Sequence, residues 1–345
     1  MVRAQLLGVA VLVAFIVAQL AGCANPSDPT NDQPKLLKLS GHTMGTTYSM
    51  KWPASYGIEP AQIESNVTEA LTQVNQQMST YINHSELSQF NQADAPATME
   101  VSSELAQLVQ QSIDLHAYTK GYFDVSIGPL VNIWGFGPDD IKTKAPDEAK
   151  ISEAKAAIGI QAVTVRDTSI SKEANRYIDL SAIAKGYGVD KLADIMESYG
   201  IHHYLVEIGG EIRTKGQKAE GKPWRIAIEK PDAQGRSVQK VLAMPNTGMA
   251  TSGDYRNYFE VDGERFSHTI DPNTGRPIRH KLASVTVLDP SCARADALAT
   301  AMLVMGETKA QDFAKLNKIP AYFIIREGEG FKTSQSPSFE SWLNQ

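Results

Sequence analysis

The sequence predicts an α+β fold with a mixed, largely antiparallel sheet and flanking helices. Three observations carry this reading. Helical and strand periodicities both recur along the chain, and they alternate without a steady βαβ rhythm. Short β-branched or aromatic runs are bounded by turn residues. One pair of such runs is joined by Asp262-Gly263, a strong hairpin signal.

The helices come first. Ile63, Val67, Ala70, Leu71, Val74 and Met78 share one helical face, and Pro60 suits the first turn. A second helix starts at Ser102 or Ser103, turns Leu105, Leu108, Val109 and Ile113 inward and stops at Gly121. "PDEAKISEAKAAIG" reads as a third. "DLSAIAKGYGVDKLADIMESYG" reads as a fourth, with Ser181 as N-cap and Gly200 past its end. A fifth holds "RADALATAM" and runs on to Gly306. The strands are "HYLVEIG", "WRIAIEK", "YRNYFEV", "ERFSHTI" and "LASVTVL".

The N-terminus reads as a targeting segment. Arg3 supplies the charge, and Leu6 to Leu20 is apolar but shorter than a membrane span of about 20 residues. "LAGC", Leu20 to Cys23, resembles the bacterial lipoprotein cleavage box. That resemblance implies a signal peptide over 1–22 and lipid on the Cys23 thiol. The tract after Cys23 is rich in Pro, Asp and Asn and holds no large apolar residue, so it reads as a flexible tether over 23–35. Residues 36–345 then form one domain, with no strong internal boundary. With Cys23 lipidated, the second of the two cysteines, Cys292, has no disulfide partner. The net charge of −6 argues against nucleic acid as a partner.

Five segments carry polar chemistry that a framework does not need. "SGHTMGTTYSM" sets Met44 and Gly45 in a turn entering a strand. "YFDVSIGPLVNIWGFG" packs aromatics around glycines beside Asp124. "DLSAIAKGYG" puts Asp179, Lys185 and two glycines at a helix start. "SHTIDPNTGRPI" joins His268, Asp271 and Arg276. In the fifth helix Asp296 and Thr300 lie one turn apart, so their side chains share a face and two oxygens can meet one hard cation. The plainer alternative makes Asp296 a helix-dipole partner and Thr300 a donor to the preceding turn. A phosphorylated aromatic ligand needs backbone amides, a counter-charge and flat apolar walls, which these segments can supply. None is specific alone: no G-x-G-x-x-G or Walker pattern is present, and a lone His is often structural.

Taken in order, "HTMGTTY", "GYFDVSIGPLVNIWGFGP", "DLSAIAKGYGVD", "VEIGGEIRTKG", "TSGDYRNYF", "SHTIDPNTGRP" and "ADALATAM" resemble the ApbE family of FAD:protein FMN transferases. The resemblance spans nearly the whole chain after the tether. It implies a T-fold-like α+β domain that binds FAD and Mg²⁺, moves FMN onto a Ser or Thr hydroxyl of a partner and releases AMP. It assigns Met44, Tyr81, Tyr122, Phe123, Asp124, Asp179, Lys185 and Ile270 to FAD. It assigns Asp296 and Thr300 to the metal through side-chain oxygens, and Ala182 through its carbonyl. Some relatives carry Glu where this chain has Lys185, and a cation there favours phosphate contact. His268 is the candidate base for the acceptor hydroxyl, since an unperturbed imidazole titrates at about 6.5. Asp271 either orients it or meets the metal. The implied acceptors are subunits of the Na⁺-translocating NADH:quinone reductase or Rnf-type complexes, at the periplasmic side of the inner membrane. Two rival readings share the site: an FAD pyrophosphatase giving FMN and AMP, and a non-enzymatic FAD-binding lipoprotein.

Overall fold

Leu36–Thr43 (β1) and Thr46–Pro53 (β2) form an antiparallel hairpin closed by Met44 and Gly45. Both turn residues have positive φ, 48° and 69°, as a two-residue hairpin turn matched to strand twist requires. Glycine adopts this conformation freely; methionine does so at a strain. The computed structural model describes residues 35–138, 145–231, 237–255, 258–261 and 264–343. The predicted signal peptide, Cys23 and nearly all of the tether lie outside the described residues, as does the Asp262-Gly263 turn.

Pro60–Met78 (α1) follows its predicted pattern, burying Ile63, Val67, Leu71, Val74 and Met78 beneath a capping box of Glu59 and Gln62. A side layer comes next: Glu86–Gln92 (α2), Ala97–Glu100 (β3), Ser103–Tyr118 (α3), Gly128–Ile133 (α4), Glu148–Ala156 (α5), Val163–Arg166 (β4) and Ser169–Lys172 (β5). The three short strands pair in the order β3-β5-β4.

The fourth helix, Ala184–Ser198 (α6), starts later than the sequence predicts. Ser181 is not its N-cap. The amide and hydroxyl of Ser181 instead donate to Asp179 Oδ1 at 2.9 and 2.5 Å, and residues 181–183 form a turn ahead of the helix. The Asp179 side chain competes for the backbone and wins here.

The remaining elements are Tyr204–Ile208 (β6), Glu211–Lys215 (β7), Trp224–Glu229 (β8), Val238–Met244 (β9), Thr247–Gly253 (β10), Tyr258–Val261 (β11), Glu264–Ser267 (β12), Ile270–Asp271 (β13), Arg276–Pro277 (β14) and Leu282–Asp289 (β15). Cys292–Met305 (α7), Glu307–Leu316 (α8), Ala321–Glu327 (β16), Gly330–Gln335 (β17) and Pro337–Leu343 (α9) complete the chain. Eight strands form one sheet in the order β1-β2-β6-β7-β10-β15-β16-β17, each neighbouring pair antiparallel. One face packs against helices: Met50, Trp52, Val206 and Ile208 meet Val67, Leu71, Val189 and Met196 of α1 and α6. The β8–β9 hairpin covers part of the other face through Ile226, Ile228, Leu242 and Met244.

α7 is buried almost all round, from Cys292 to Met305, the mark of a core helix rather than a surface one. It crosses α6 at Gly186, where an added Cβ would stand 2.4 Å from the Cys292 carbonyl oxygen and 2.7 Å from Ala293 Cα. Only a residue without a Cβ lets the helices approach so closely. Gly186→Ala is expected to lose about 1–3 kcal/mol of stability, as overpacking does. Chemical denaturation checks this, and an unchanged midpoint would show that the crossing has slack.

Candidate active site

The helix crossing fixes the site. Asp190 on α6 reaches the start of α7 and accepts from Cys292 N at 3.0 Å, Ala293 N at 3.1 Å and Ser291 Oγ at 2.9 Å. Arg213 Nη1 donates to Asp190 at 2.8 Å. A half-buried carboxylate thus already satisfies the N-terminal amides of α7, and Asp296 is not needed for that task. Cys292 packs here as a free buried thiol, its ionisation pushed well up by burial.

Little more than a turn from there on each helix, Lys185 of α6 and Asp296 of α7 converge with Glu211 of β7. Lys185 Nζ lies 2.9 Å from Glu211 Oε1 and 3.9 Å from Asp296 Oδ2. The Gly186 amide donates to Asp296 Oδ2 at 3.1 Å. In an unbroken helix that amide would serve the Ala182 carbonyl, which is therefore left outside the ladder. Asp296 is 3% exposed. Burial pushes its carboxyl up to about 7; Lys185 opposes this, and Glu211 adds to it. Burial pulls Lys185 down, but Asp296 and then Glu211 outweigh it and its ammonium is held charged. Glu211 Oε2 is buried without a hydrogen-bond partner. Thr300 Oγ1 pairs with Ser252 Oγ at 2.8 Å rather than with a carbonyl of its own helix. Both halves of the plainer reading of Asp296 and Thr300 therefore fail on geometry.

These groups line one end of a cleft of about 1430 Å³, larger than the roughly 300–1,000 Å³ of common small-ligand pockets. Met44, Tyr81, Tyr122, Phe123, Asp124, Asp179, Ala182, Lys185, His268, Ile270, Asp296 and Thr300 all line it. The strained Met44 turn brings that side chain toward Gly188 on α6. Tyr81 is 64% exposed, and its hydroxyl donates to the Phe136 carbonyl at 3.4 Å. Burial and then Asp179 raise its phenol, which sets the two side by side. Tyr122 is met by Lys309 Nζ at 2.6 Å. Asp124 spends one oxygen on the Ser126 amide and hydroxyl, at 2.8 and 2.6 Å, and sets the other 3.5 Å from His116 Nδ1. The His268 ring stands edge-on to Phe136, with centroids 6.3 Å apart.

Asp271 is the exception. It does not line the cleft. Its Oδ1 accepts from the Asn273 amide at 2.9 Å and side chain at 3.1 Å, and its carbonyl accepts from Gly275 N at 2.8 Å. This is an Asx turn closing β13 onto β14, so the geometry supports neither of the roles expected for Asp271. Glu211, Ser252 and Asp190 were missed as site residues. Glu211 follows the Gly209-Gly210 turn, and a glutamate opening a strand amid apolar neighbours was the available signal.

Among the described residues no group of three or more His, Cys, Asp or Glu can hold a metal ion. Magnesium does not ask for one, since it takes one or two carboxylates and completes its shell with water and phosphate. Lys185 is one cation set against two buried carboxyls, and Glu211 Oε2 still lacks a hydrogen-bond partner, so the donor set fits a hard cation.

The cleft is lined by Tyr81, Tyr122, Phe123 and Phe136 and by the Lys185–Glu211–Asp296 cluster, the chemistry that a phosphorylated aromatic ligand asks for. The chain belongs to the ApbE family, which it matches over residues 44–323. An FAD:protein FMN transferase of Vibrio cholerae serotype O1 is 46% identical over 328 residues, 94% of this chain and 96% of the relative. The solved flavin transferase ApbE of Vibrio cholerae superposes with a TM-score of 0.83 at 45% identity, covering 89% of this chain and 99% of that one. The apo flavinyl transferase ApbE of Pseudomonas stutzeri gives 0.84 at 39% identity, covering 90% and 98%.

Proposed function

We propose that this chain transfers the FMN half of FAD to a Ser or Thr hydroxyl of a partner protein, forming a phosphoester and releasing AMP. The observation that carries the reading is the buried Asp296 carboxylate facing the cleft beside Thr300 and Lys185. A cation held there would stand beside Lys185, ready to neutralise a pyrophosphate lying in the cleft. The family supplies the rest, since its named relatives are FAD:protein FMN transferases.

FAD lies along the cleft against Met44, Tyr81 and the Tyr122–Phe123–Asp124 wall, with Asp179 and Ile270 beside it. Lys185 meets the phosphates. Asp296, Thr300 and the Ala182 carbonyl would hold Mg²⁺, whose chemistry when bound is to neutralise pyrophosphate oxygens. The acceptor hydroxyl attacks the phosphorus on the FMN side. A new P–O bond forms to the acceptor, the bond to the bridging oxygen breaks, and AMP leaves with that oxygen. His268 takes the hydroxyl proton. Positioning and charge neutralisation do most of the catalysis in such a transfer. Mass spectrometry of candidate acceptors after mixing with FAD and Mg²⁺ tests the reading. One protein gains the mass of FMN, and a panel of acceptors without any gain would refute it.

The lipobox extends the proposal to location. Cys23 carries lipid and holds the enzyme on the periplasmic face of the inner membrane, near acceptor subunits of the Na⁺-translocating NADH:quinone reductase or Rnf type. Among the described residues no helix is long and apolar enough to cross a membrane. Cys23→Ser is expected to move the protein into the soluble fraction with transfer activity intact. Retention of the mutant on membranes after a high-salt wash would contradict the anchor.

A further inference from the structure

The cleft extends well past the Lys185–Asp296 end. Arg225, Ile226, Ala227 and Ile228 line it in unbroken succession. Successive side chains of a strand point to opposite faces. A cavity that touches four in a row therefore meets the edge of the strand, not one of its faces. Among the described residues β8 pairs only with β9. The cleft thus runs along the unpaired edge of β8.

The neighbouring elements show where the hairpin lies. On β9, Lys240 Nζ sits 5.3 Å from the Tyr322 ring centre and 5.7 Å from that of Phe339, and donates to Gln335 Oε1 at 3.3 Å. Just past β8, Lys230 Nζ stands 5.9 Å from the Phe331 ring centre, so this end of the hairpin reaches β16 and β17. The other end meets β7, where Trp224 Nε1 donates to the Lys215 carbonyl at 3.1 Å and Thr214 Oγ1 to the Met244 carbonyl at 3.0 Å. The cleft that follows the β8 edge continues to β2 and β6. There the outward residues Ser49 and Lys51 of β2 pair in register with Glu207 and Leu205 of β6, and all four line the same cleft. The result is a shelf: a floor from β2 and β6, a wall from the open backbone edge of β8, and the Asp296 cluster in the same cavity.

We infer that the acceptor polypeptide enters the cleft as an extended segment and adds as a strand to the open edge of β8. This rests on the transferase reading above. Along that edge every second residue directs its N–H and C=O away from β9. These groups repeat at strand spacing and match a peptide backbone. The aromatic walls and the Lys185 cluster suit the dinucleotide, and the β8 edge carries no aromatic ring of its own among the residues that line the cleft. Strand addition takes its affinity from the main chain and its selectivity from alternate side chains. One enzyme can then present different acceptors in one extended frame, with a Ser or Thr delivered at the Asp296 end. β8 is only 6 residues long, and exposed Arg225 guards it, both being devices that keep an open edge from indiscriminate pairing.

The experiment uses the full chain and the protein that gains FMN in the mass-spectrometric assay. Amide hydrogen exchange is followed without FAD, with and without that acceptor. Protection is expected to rise on alternate amides of β8, while the outer strand β17 serves as control. Ala227→Pro removes one edge amide or distorts the edge. It should raise the acceptor KM about tenfold, the scale of a lost hydrogen bond or two, with a smaller change in kcat. An acceptor that takes FMN yet leaves β8 exchange unchanged, or that protects β1 or β17 instead, overturns the inference and leaves the transferase reading standing. Should Ala227→Pro not fold, the wild-type exchange pattern decides. If no protein takes FMN, the transferase reading fails first, and this inference fails with it.

Discussion

Asp296→Asn abolishes FMN transfer at ordinary Mg²⁺, with a fall of more than about a hundredfold, since even residues behind a metal's ligands are worth 10–100-fold in metal affinity. Size and shape are kept, and the Gly186 amide still finds an oxygen. Only the charge is lost. Excess Mg²⁺ or Mn²⁺ is therefore expected to restore part of the activity. Metal-free stability should hold or rise, because Lys185 keeps Glu211 at 2.9 Å and a desolvated carboxylate is gone. The pH dependence gives the sign. The folded carboxyl is pushed up to about 7, while an unfolded aspartate ionises near 3.9. Between those values the unfolded chain has released its proton and the folded chain has not. Without metal, this group's contribution to stability is thus full below about pH 4 and is lost as pH rises to about 7. The mutant lacks that loss, so its advantage grows across the window and then levels off. Thr300→Val should act in the same direction on transfer, more mildly, since a neutral hydroxyl is a weaker ligand. An Asp296→Asn activity curve against Mg²⁺ that overlays the wild type would return Asp296 to a purely structural place.

His268→Ala slows transfer by roughly 10²–10⁴-fold, the usual worth of a general base. FAD binding, followed by flavin fluorescence, is expected to change far less, because the contacts proposed for the dinucleotide are Met44, Tyr81, the Tyr122–Phe123–Asp124 run and Lys185 rather than His268. Asp271→Asn makes the contrast. Its carboxylate serves the Asn273 turn, so the variant should keep most of its activity and lose a little stability. Near-normal transfer by His268→Ala would remove this residue from the mechanism. A collapse of Asp271→Asn at unchanged stability would restore that carboxylate to it.

The local elements were legible because their physics is local. The apolar stripe of α1 and the hydroxyl caps of α3 can be read by eye. The site was legible in part for the same reason: Asp296 and Thr300 share a helix face by spacing alone. What spacing could not show is that α7 is enclosed on every side, which is what turns Asp296 from a surface charge into a desolvated one. Glu211 and Ser252 escaped notice because their partners, Lys185 and Thr300, lie 26 and 48 positions away in sequence, and a fold must form before they meet. Ser181 and Asp271 misled for the opposite reason. Each sits beside a strong motif, and in each case a side chain bonds its own turn. The order of the sheet, with β6 and β7 between the N-terminal hairpin and β10, had no trace in local pattern.

The central claim is that a protein hydroxyl, not water, receives the FMN. The direct test counts AMP and protein-bound flavin together, with wild-type enzyme, FAD and Mg²⁺, in the presence and absence of acceptor. The account predicts one AMP for each flavinylated hydroxyl and little AMP when acceptor is withheld. Equal amounts of AMP and free FMN, at the same rate with or without acceptor, would contradict it and make the chain an FAD pyrophosphatase.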